Sequence, residues 1–546
     1  MNSLDIPEDR ESRIGEIVVV GGTLAGWAAA ARLAATFGRA VGVTVLETPQ
    51  DAPAADASGR VVALAPQVQG DLFDRLGLQE ETWMRACSAS FTLAVRYVNW
   101  RSGKEARLSP HPLPGHAPDC FDRPFAALPE CEEFPLSEFW RLRRSTGETV
   151  EPMDRACFRE PPLLDALRSP RWLDGRAAVP YGWHADAELL TRLLRRTAVQ
   201  RFGVRTAHGM PLGADRDGDG MLTALCTTGG TRLAGDLFLD CTGPASLLLG
   251  GVLHEPFTAV AGHPFTDRTV TVSVPHDSAV AGIEPYGTAT ALPYGWAWHR
   301  PLPDRIGAGL VCASAWTDEE HAVRTLCALW GLRPGIADVR VHSSPAGAAR
   351  RPWVHNCVAL GPAARSADPL ADDGLAGVLR QLGRLVRDFP DRRYLRAPAD
   401  RFNRAAAADA AAAGDLAQLL YRAAPRADTP FWRAHRELPL SDALSACLEG
   451  HRAGLPPEPG ETPLRTLLTA LDPQGGPPPA ALWHRTAARQ AADAHFTRIR
   501  RQQRILLETL PSAQAYLHRL HTRRAPDARD EPARRTPAPP RPVTVA

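Results

Sequence analysis

Glu16-Ile17-Val18-Val19-Val20-Gly21-Gly22-Thr23-Leu24-Ala25-Gly26 decides the fold, together with the alanine-rich run Trp27 to Phe37 and with Val41 to Glu47, V-G-V-T-V-L-E. An apolar β-branched run that ends at glycine reads as a strand buried on both faces. The run after Gly26 has no breaker before Gly38 and reads as a helix. Val41 to Glu47 reads as a second strand closing on an acid, and this βαβ opening predicts a doubly wound, Rossmann-type nucleotide-binding sheet. A dinucleotide turn takes glycine at its first, third and sixth places, so that the turn is tight, the backbone nears the pyrophosphate and the helix packs on the strand. Gly21 and Gly26 meet the first and last of these. Gly22 and Ala25 lie within the turn, and Thr23 stands third, where its branched Cβ is expected to crowd a pyrophosphate. Glu47 is placed for a ribose hydroxyl. A tight turn that binds nothing is the competing reading; strand, turn, helix, strand and acid in order weigh against it.

Further along, Asp236 to Gly243 (D-L-F-L-D-C-T-G) and Asn356 to Gly361 (N-C-V-A-L-G) are strand-then-glycine units suited to lining a cofactor crevice. Thr269 to Val274 and Ile306 to Cys312 alternate like antiparallel strands, so the sheet on the substrate side is expected to be mixed. From Leu375 to Val386 and from Phe402 to Tyr421 the period turns helical, and helix is expected to about Leu520. The Pro/Gly-rich stretch 455–479 reads as a loop or lid. The expected organisation is an N-terminal arm (1–14), a nucleotide-binding core with the substrate sheet interleaved (15–400), a capping helical region (401–522) and a disordered tail (523–546). The class is α/β with α+β character.

The 546 residues are 44% hydrophobic and 23% charged, with a formal net charge of +2. That is an ordinary globular composition. So small a charge gives neither a field for nucleic acid nor a polybasic membrane anchor. No apolar run suits a membrane span, and the charged start is no secretory signal, so a cytoplasmic location is expected. Ten cysteines without a C-x-x-C pair fit reduced thiols rather than a zinc site. His518 and His521 read as surface histidines, and no metal is expected. Lys104 is the only lysine; the positive charge is otherwise arginine.

Gly295-Trp296-Ala297-Trp298-His299-Arg300-Pro301 precedes Arg305-Ile306-Gly307-Ala308-Gly309. Two tryptophans one residue apart on a strand share a face. Standing alone, they would read as a core ladder. Yet the run is similar to the W-x-W-x-I-P and R-x-G-x-G signatures of the flavin-dependent tryptophan halogenase family, with Arg300 in the isoleucine place. Tyr97-Val98-Asn99-Trp100, Trp183-His184-Ala185-Asp186, Asp368-Pro369-Leu370, Asp428-Thr429-Pro430-Phe431-Trp432 and Leu510-Pro511-Ser512 resemble the family too. The likeness runs from about Glu16 to about Leu520.

The resemblance implies an FAD-binding core of the flavin hydroxylase kind, with reduced flavin supplied by a separate reductase. It implies a cofactor site at Gly21, Gly22, Thr23, Ala25, Gly26, Glu47, Gly361, Asp368 and Leu370, and a tunnel along Trp296 and Trp298. It also implies substrate walls at Phe125 and Trp432, and a halide against the amides of Asp373 and Gly374. The chemistry it implies is oxidation of a halide to hypohalous acid, which crosses the tunnel to a lysine beside the substrate. Here the chain departs from the family. The lysine place, in Ala89-Ser90-Phe91-Thr92, holds Thr92, which carries no charge to bind hypohalous acid. The glutamate place, in Pro369-Leu370-Ala371-Asp372-Asp373-Gly374, holds Ala371. Two carboxylates flank the halide position, and one unit charge about 4 Å from chloride costs about 4 kcal/mol at an effective dielectric of 20. The flavin loop reads Val61 to Pro66, V-V-A-L-A-P, and Pro362 stands where the family has aspartate, removing a backbone donor. Weak FAD binding follows as an expectation.

Three functions fit these residues. The leading one is a halogenase-family flavoprotein of secondary metabolism that acts on an aromatic or indole-type molecule, with halogenation altered or lost. Hydroxylation or dehydrogenation at the flavin is a second. The third is an inactive pseudo-halogenase serving as a binding or partner subunit. The oligomeric state, a homodimer among the options, has no signature in the sequence.

Overall fold

The computed structural model describes residues 12–49, 60–101, 119–259, 262, 264–335, 337–343, 346–472 and 475–522. Residues 1–11 of the expected arm, Lys104 and the expected tail 523–546 lie outside the described residues.

Glu16–Val20 is an inner strand of a six-stranded sheet ordered Arg205–His208, Gly42–Glu47, Glu16–Val20, Leu237–Asp240, Cys357–Ala359, Trp353–Val354. The first five run parallel, and Trp353–Val354 closes the edge as an antiparallel partner of Cys357–Ala359. Ile17, Val18, Val19 and Val20 are at most 1% exposed, so the uninterrupted apolar run reflects burial on both faces. The helix Leu24–Phe37 buries Ala28, Ala29, Ala30 and Ala31 completely. Those small side chains let it lie close beside the helix Ala187–Phe202.

A seven-stranded mixed sheet stands next to this core, ordered Arg340–Ser343, Arg268–Pro275, Arg305–Cys312, Gly295–Pro301, Gly287–Leu292, Ala94–Val98, Cys120–Pro124. All its pairings are antiparallel except that of Gly287–Leu292 with Ala94–Val98. Alternation along Gly295–Pro301 sends Trp296 and Trp298 to one face, into an aromatic cluster with Tyr97 and Trp100, and Ala297 to the other. Trp298 lies across Gly309, where a Cβ would stand 2.4 Å from its ring. That collision explains the glycine of the R-x-G-x-G run. A three-stranded sheet, Val61–Leu64, Gly182–Asp186 and Ser90–Thr92, links the two larger ones.

The C-terminal region is helical, with two departures from expectation. The expected boundary at 400/401 falls inside one continuous helix, Arg396–Ala423. The Pro/Gly-rich stretch 455–479 contains the helix Thr462–Leu471, which buries Leu467, Leu468 and Leu471. Pro463 sits in its first turn, where a missing N–H costs nothing, so the proline starts the helix instead of breaking it. Leu510-Pro511-Ser512 returns to the core: Arg168 donates to the Leu510 carbonyl and Ser169 N–H to that of Pro511. His521, read from sequence as a surface histidine, is half-buried and hydrogen-bonds the Ala89 carbonyl at 3.0 Å. Among the described residues no helix is long and apolar enough to cross a membrane. All ten cysteines are free thiols.

Candidate active site

A cavity of about 1620 Å³ lies between the two large sheets. At one end the turn after Val20 forms its wall through Gly22, Thr23, Leu24 and Ala25. Gly21 has φ +106°, and a Cβ on it would meet the Cys241 carbonyl at 2.5 Å; a Cβ on Gly26 would stand 1.9 Å from the Gly21 oxygen. No other residue fits either place, and the turn brings the start of a helix to the cavity. Thr23 differs from expectation. It caps the helix, its hydroxyl accepting from Gly26 N–H and donating to the Cys241 carbonyl, so its oxygen turns into the fold and takes up one N–H. Asp240 shapes the neighbouring loop by accepting from the N–H groups of Thr242, Leu248 and Leu249. Gly361, at φ +61°, has no room for a Cβ beside Val378. A wide cavity, a glycine cradle and an open helix start together fit a dinucleotide.

Glu47 lines the cavity but is already engaged. Arg195 Nε donates to its Oε1 at 2.7 Å, and His208 Nδ1 lies 3.2 Å from Oε2. No local motif announces this pair, since 148 residues separate Arg195 from Glu47.

Trp296 and Trp298 line the cavity with Tyr97 and Phe125. Trp432 is elsewhere. It is fully buried, donates Nε1–H to the Leu292 carbonyl at 3.0 Å, and packs against Trp100 and Tyr421 outside the cavity lining. An indole bonded on its edge and covered on its faces is a core residue here. Asn99 and Trp100 are likewise structural, donating to the carbonyls of Ala291 and Ala289.

The loop 368–374 brings Leu370, Asp372, Asp373 and Gly374 to the cavity. Asp368 does not line it. It is buried under Thr266 and Tyr421, whose hydroxyls donate to its Oδ2, while Leu370 N–H donates to Oδ1. Burial raises its pKa above the usual carboxylate range. Asp368 therefore pins the loop and leaves no oxygen directed at a cofactor. Ala371 is 5% exposed and packs on Ala413 and Ala417. The carboxylates expected to repel a halide are both paired, Asp373 with Arg380 and Asp372 with Arg365 at 3.8 Å. The arginines offset part of the expected penalty. Thr92 is 2% exposed, and its hydroxyl donates to the Ala94 carbonyl at 3.1 Å. Neither Thr92 nor Ala371 lines the cavity, although chain neighbours of Ala371 do.

The tryptophan halogenase family profile matches residues 16–467 of this chain. The tryptophan 7-halogenase KtzQ of Kutzneria sp. (strain 744) is 39% identical over 532 residues, covering 94% of this chain and 99% of that protein. The tryptophan 7-halogenase RebH of Lentzea aerocolonigenes is 36% identical over 532 residues, with 94% and 99% covered. The crystal structure of the tryptophan 6-halogenase SttH from Streptomyces toxytricini aligns with a TM-score of 0.83 at 31% identity, over 92% of this chain and 99% of that one. On the profile, the relatives and the shared architecture alike, the chain belongs to the tryptophan halogenase family.

Proposed function

We propose that this protein is a flavin-dependent oxidoreductase acting on an aromatic, indole-type small molecule, and that halogenation is altered or lost in it. FAD is the cofactor of the family, and a separate reductase supplies it in reduced form. When bound, the flavin supplies the oxidising chemistry with dioxygen. The chain's own residues would do the rest: Gly22 to Ala25 would hold the pyrophosphate end, and Trp296 and Trp298 with Phe125 would wall off the substrate side. The observation that carries the altered chemistry is the pair Thr92 and Ala371, an uncharged hydroxyl bonded to its own strand and a methyl group packed on alanines. Neither binds hypohalous acid through charge, and neither takes up a proton.

The test is mass spectrometry of incubations containing the protein, FAD, a flavin reductase, NADH, oxygen and bromide, with tryptophan or indoles. No brominated product is expected. A protein-dependent halogen isotope pattern would overturn the reading. Restoring Thr92→Lys, Ala371→Glu and Asp373→Thr together is expected to bring product back, since the lysine and glutamate position one oxidant and single changes are nearly silent.

The engagement of Glu47 by Arg195 favours a second reading, a partner subunit that keeps the fold without turnover. The absorption spectrum of the protein after addition of FAD separates the two: no bound-flavin spectrum supports the partner role.

A further inference from the structure

Trp100 and Tyr421 are fully buried, and their rings lie 5.9 Å apart, centre to centre. On one side Trp100 meets Tyr97, a residue of the cavity wall, at 5.7 Å. On the other, Tyr421 stacks on His435 at 4.4 Å and packs edge-on against Phe431 at 5.8 Å. Phe431 and His435 both reach Trp316, at 5.7 Å and 6.3 Å, and Trp316 is half-buried at the protein surface. Aromatic rings thus run without a gap from the cavity to the outside. Packing explains the rings but not the Tyr421 hydroxyl, since phenylalanine would fill the same core. That hydroxyl donates to Asp368 Oδ2 at 2.9 Å. Thr266 donates to the same oxygen and Leu370 N–H to Oδ1, so Asp368 is surrounded by donors, as an ionised acceptor is. Burial raises the affinity of this carboxylate for a proton. A phenol and a proton acceptor therefore share a hydrogen bond in the interior, in contact with rings that lead both ways.

We propose that Tyr421, paired with Asp368, is the redox-active centre of an aromatic relay carrying single electrons from Trp316 at the surface to an oxygen-centred radical in the cavity. The radical takes one electron from Trp100 through Tyr97, with one proton from solvent, and becomes a hydroxyl compound. Tyr421 gives an electron to the Trp100 radical cation and passes its phenolic proton to Asp368 along the existing hydrogen bond. A neutral tyrosyl radical and a carboxylic acid result. Trp316 returns an electron to Tyr421, which takes its proton back, and a thiol or ascorbate in solution gives one electron to Trp316. The relay spares Trp296 and Trp298 from stray oxidation. It goes beyond the proposed function, because any one-electron oxidant in the cavity draws on it.

The experiment is pulse radiolysis of the protein without FAD, with azide radicals as the one-electron oxidant of tryptophan. The indolyl absorption is expected to decay as phenoxyl absorption grows, at one first-order rate that does not change with protein concentration. Tyr421→Phe and Trp316→Phe are each expected to lose this phase. Asp368→Asn, whose amide takes up no proton, should slow it about tenfold or more. Absence of the phase in the wild type, its survival at full amplitude in Tyr421→Phe, or an unchanged rate in Asp368→Asn overturns the inference. Should Tyr421→Phe fail to fold, Trp316→Phe at the surface end decides by the same reading. The assay contains no flavin, so a missing phase leaves the proposed function standing, and missing FAD uptake leaves the relay standing.

Discussion

Two glycine-bearing loops open onto the same cavity, Gly21 to Gly26 at one side and Asp368 to Gly374 at the other, and they are held in different ways. Backbone holds the first: added Cβ atoms would collide with the carbonyls of Cys241 and Gly21. Side chains hold the second, through Asp368 beneath Thr266 and Tyr421 and through arginines on Asp372 and Asp373. At Ala371 a methyl group packs on Ala413 and Ala417 while its chain neighbours line the cavity. One cavity therefore has two kinds of support, backbone contact on the first loop and side-chain pairing on the second.

The largest test of that contrast is Gly26→Ala. With 1.9 Å to the Gly21 oxygen, the methyl must displace backbone, and a loss of about 3 kcal/mol is expected in chemical denaturation, the upper end for overpacking. A variant as stable as wild type would show the turn to be pliable. Ala371→Glu comes next. It buries a carboxylate against Ala413 and Ala417 and should cost about 2 kcal/mol, whereas Asp373→Thr, which breaks a half-exposed ion pair, should cost under about 1 kcal/mol. Equal costs would erase the distinction between the buried and the wet side of the second loop.

Flavin affinity sharpens the first loop. With Glu47 engaged and Pro362 lacking an N–H, FAD binding is expected at micromolar or weaker in a fluorescence titration, since each lost contact costs about tenfold. Arg195→Ala releases Glu47 and should tighten binding by up to about tenfold. Nanomolar affinity in the wild type would contradict this.

The smallest effect concerns acid. His435 is buried, and desolvation pushes its pKa down to about 4. Its folded form binds fewer protons than its unfolded form, so its contribution is full above about pH 6.5 and is lost as pH falls towards 4. Between pH 7 and 6 the wild type should lose about 1 kcal/mol or less that His435→Gln keeps, read as a difference in denaturation midpoints. Parallel pH profiles for the two proteins would exclude His435 as the titrating group.

How legible these features were in the sequence follows from their range. Glu16 to Glu47 reads correctly because each step is local: a buried strand is apolar throughout, a turn needs glycine, and a helix follows. Trp296 and Trp298 are legible for the same reason, their shared face following from strand alternation. Pairings between distant segments are not legible. Arg195 on Glu47, Arg380 on Asp373 and Thr266 on Asp368 join segments whose approach only the finished fold defines. Trp432 misled because an aromatic residue in a pocket-forming segment looks alike whether its ring faces a ligand or three other rings. Residues 455–479 misled because proline density outweighed the leucine spacing of Thr462–Leu471.

The return of the C-terminal helix has a consequence for how the chain is made. Tyr516 packs edge-on against Phe91 with ring centroids 5.5 Å apart, and His521 closes on the Ala89 carbonyl across 432 positions. A ribosome must therefore pass residue 521 before the strand Ser90–Thr92 can receive these neighbours. Until then Phe91 lacks that cover, and contacts of such sequence separation form late and slowly. The cover of Phe91 is therefore completed only after synthesis has passed residue 521.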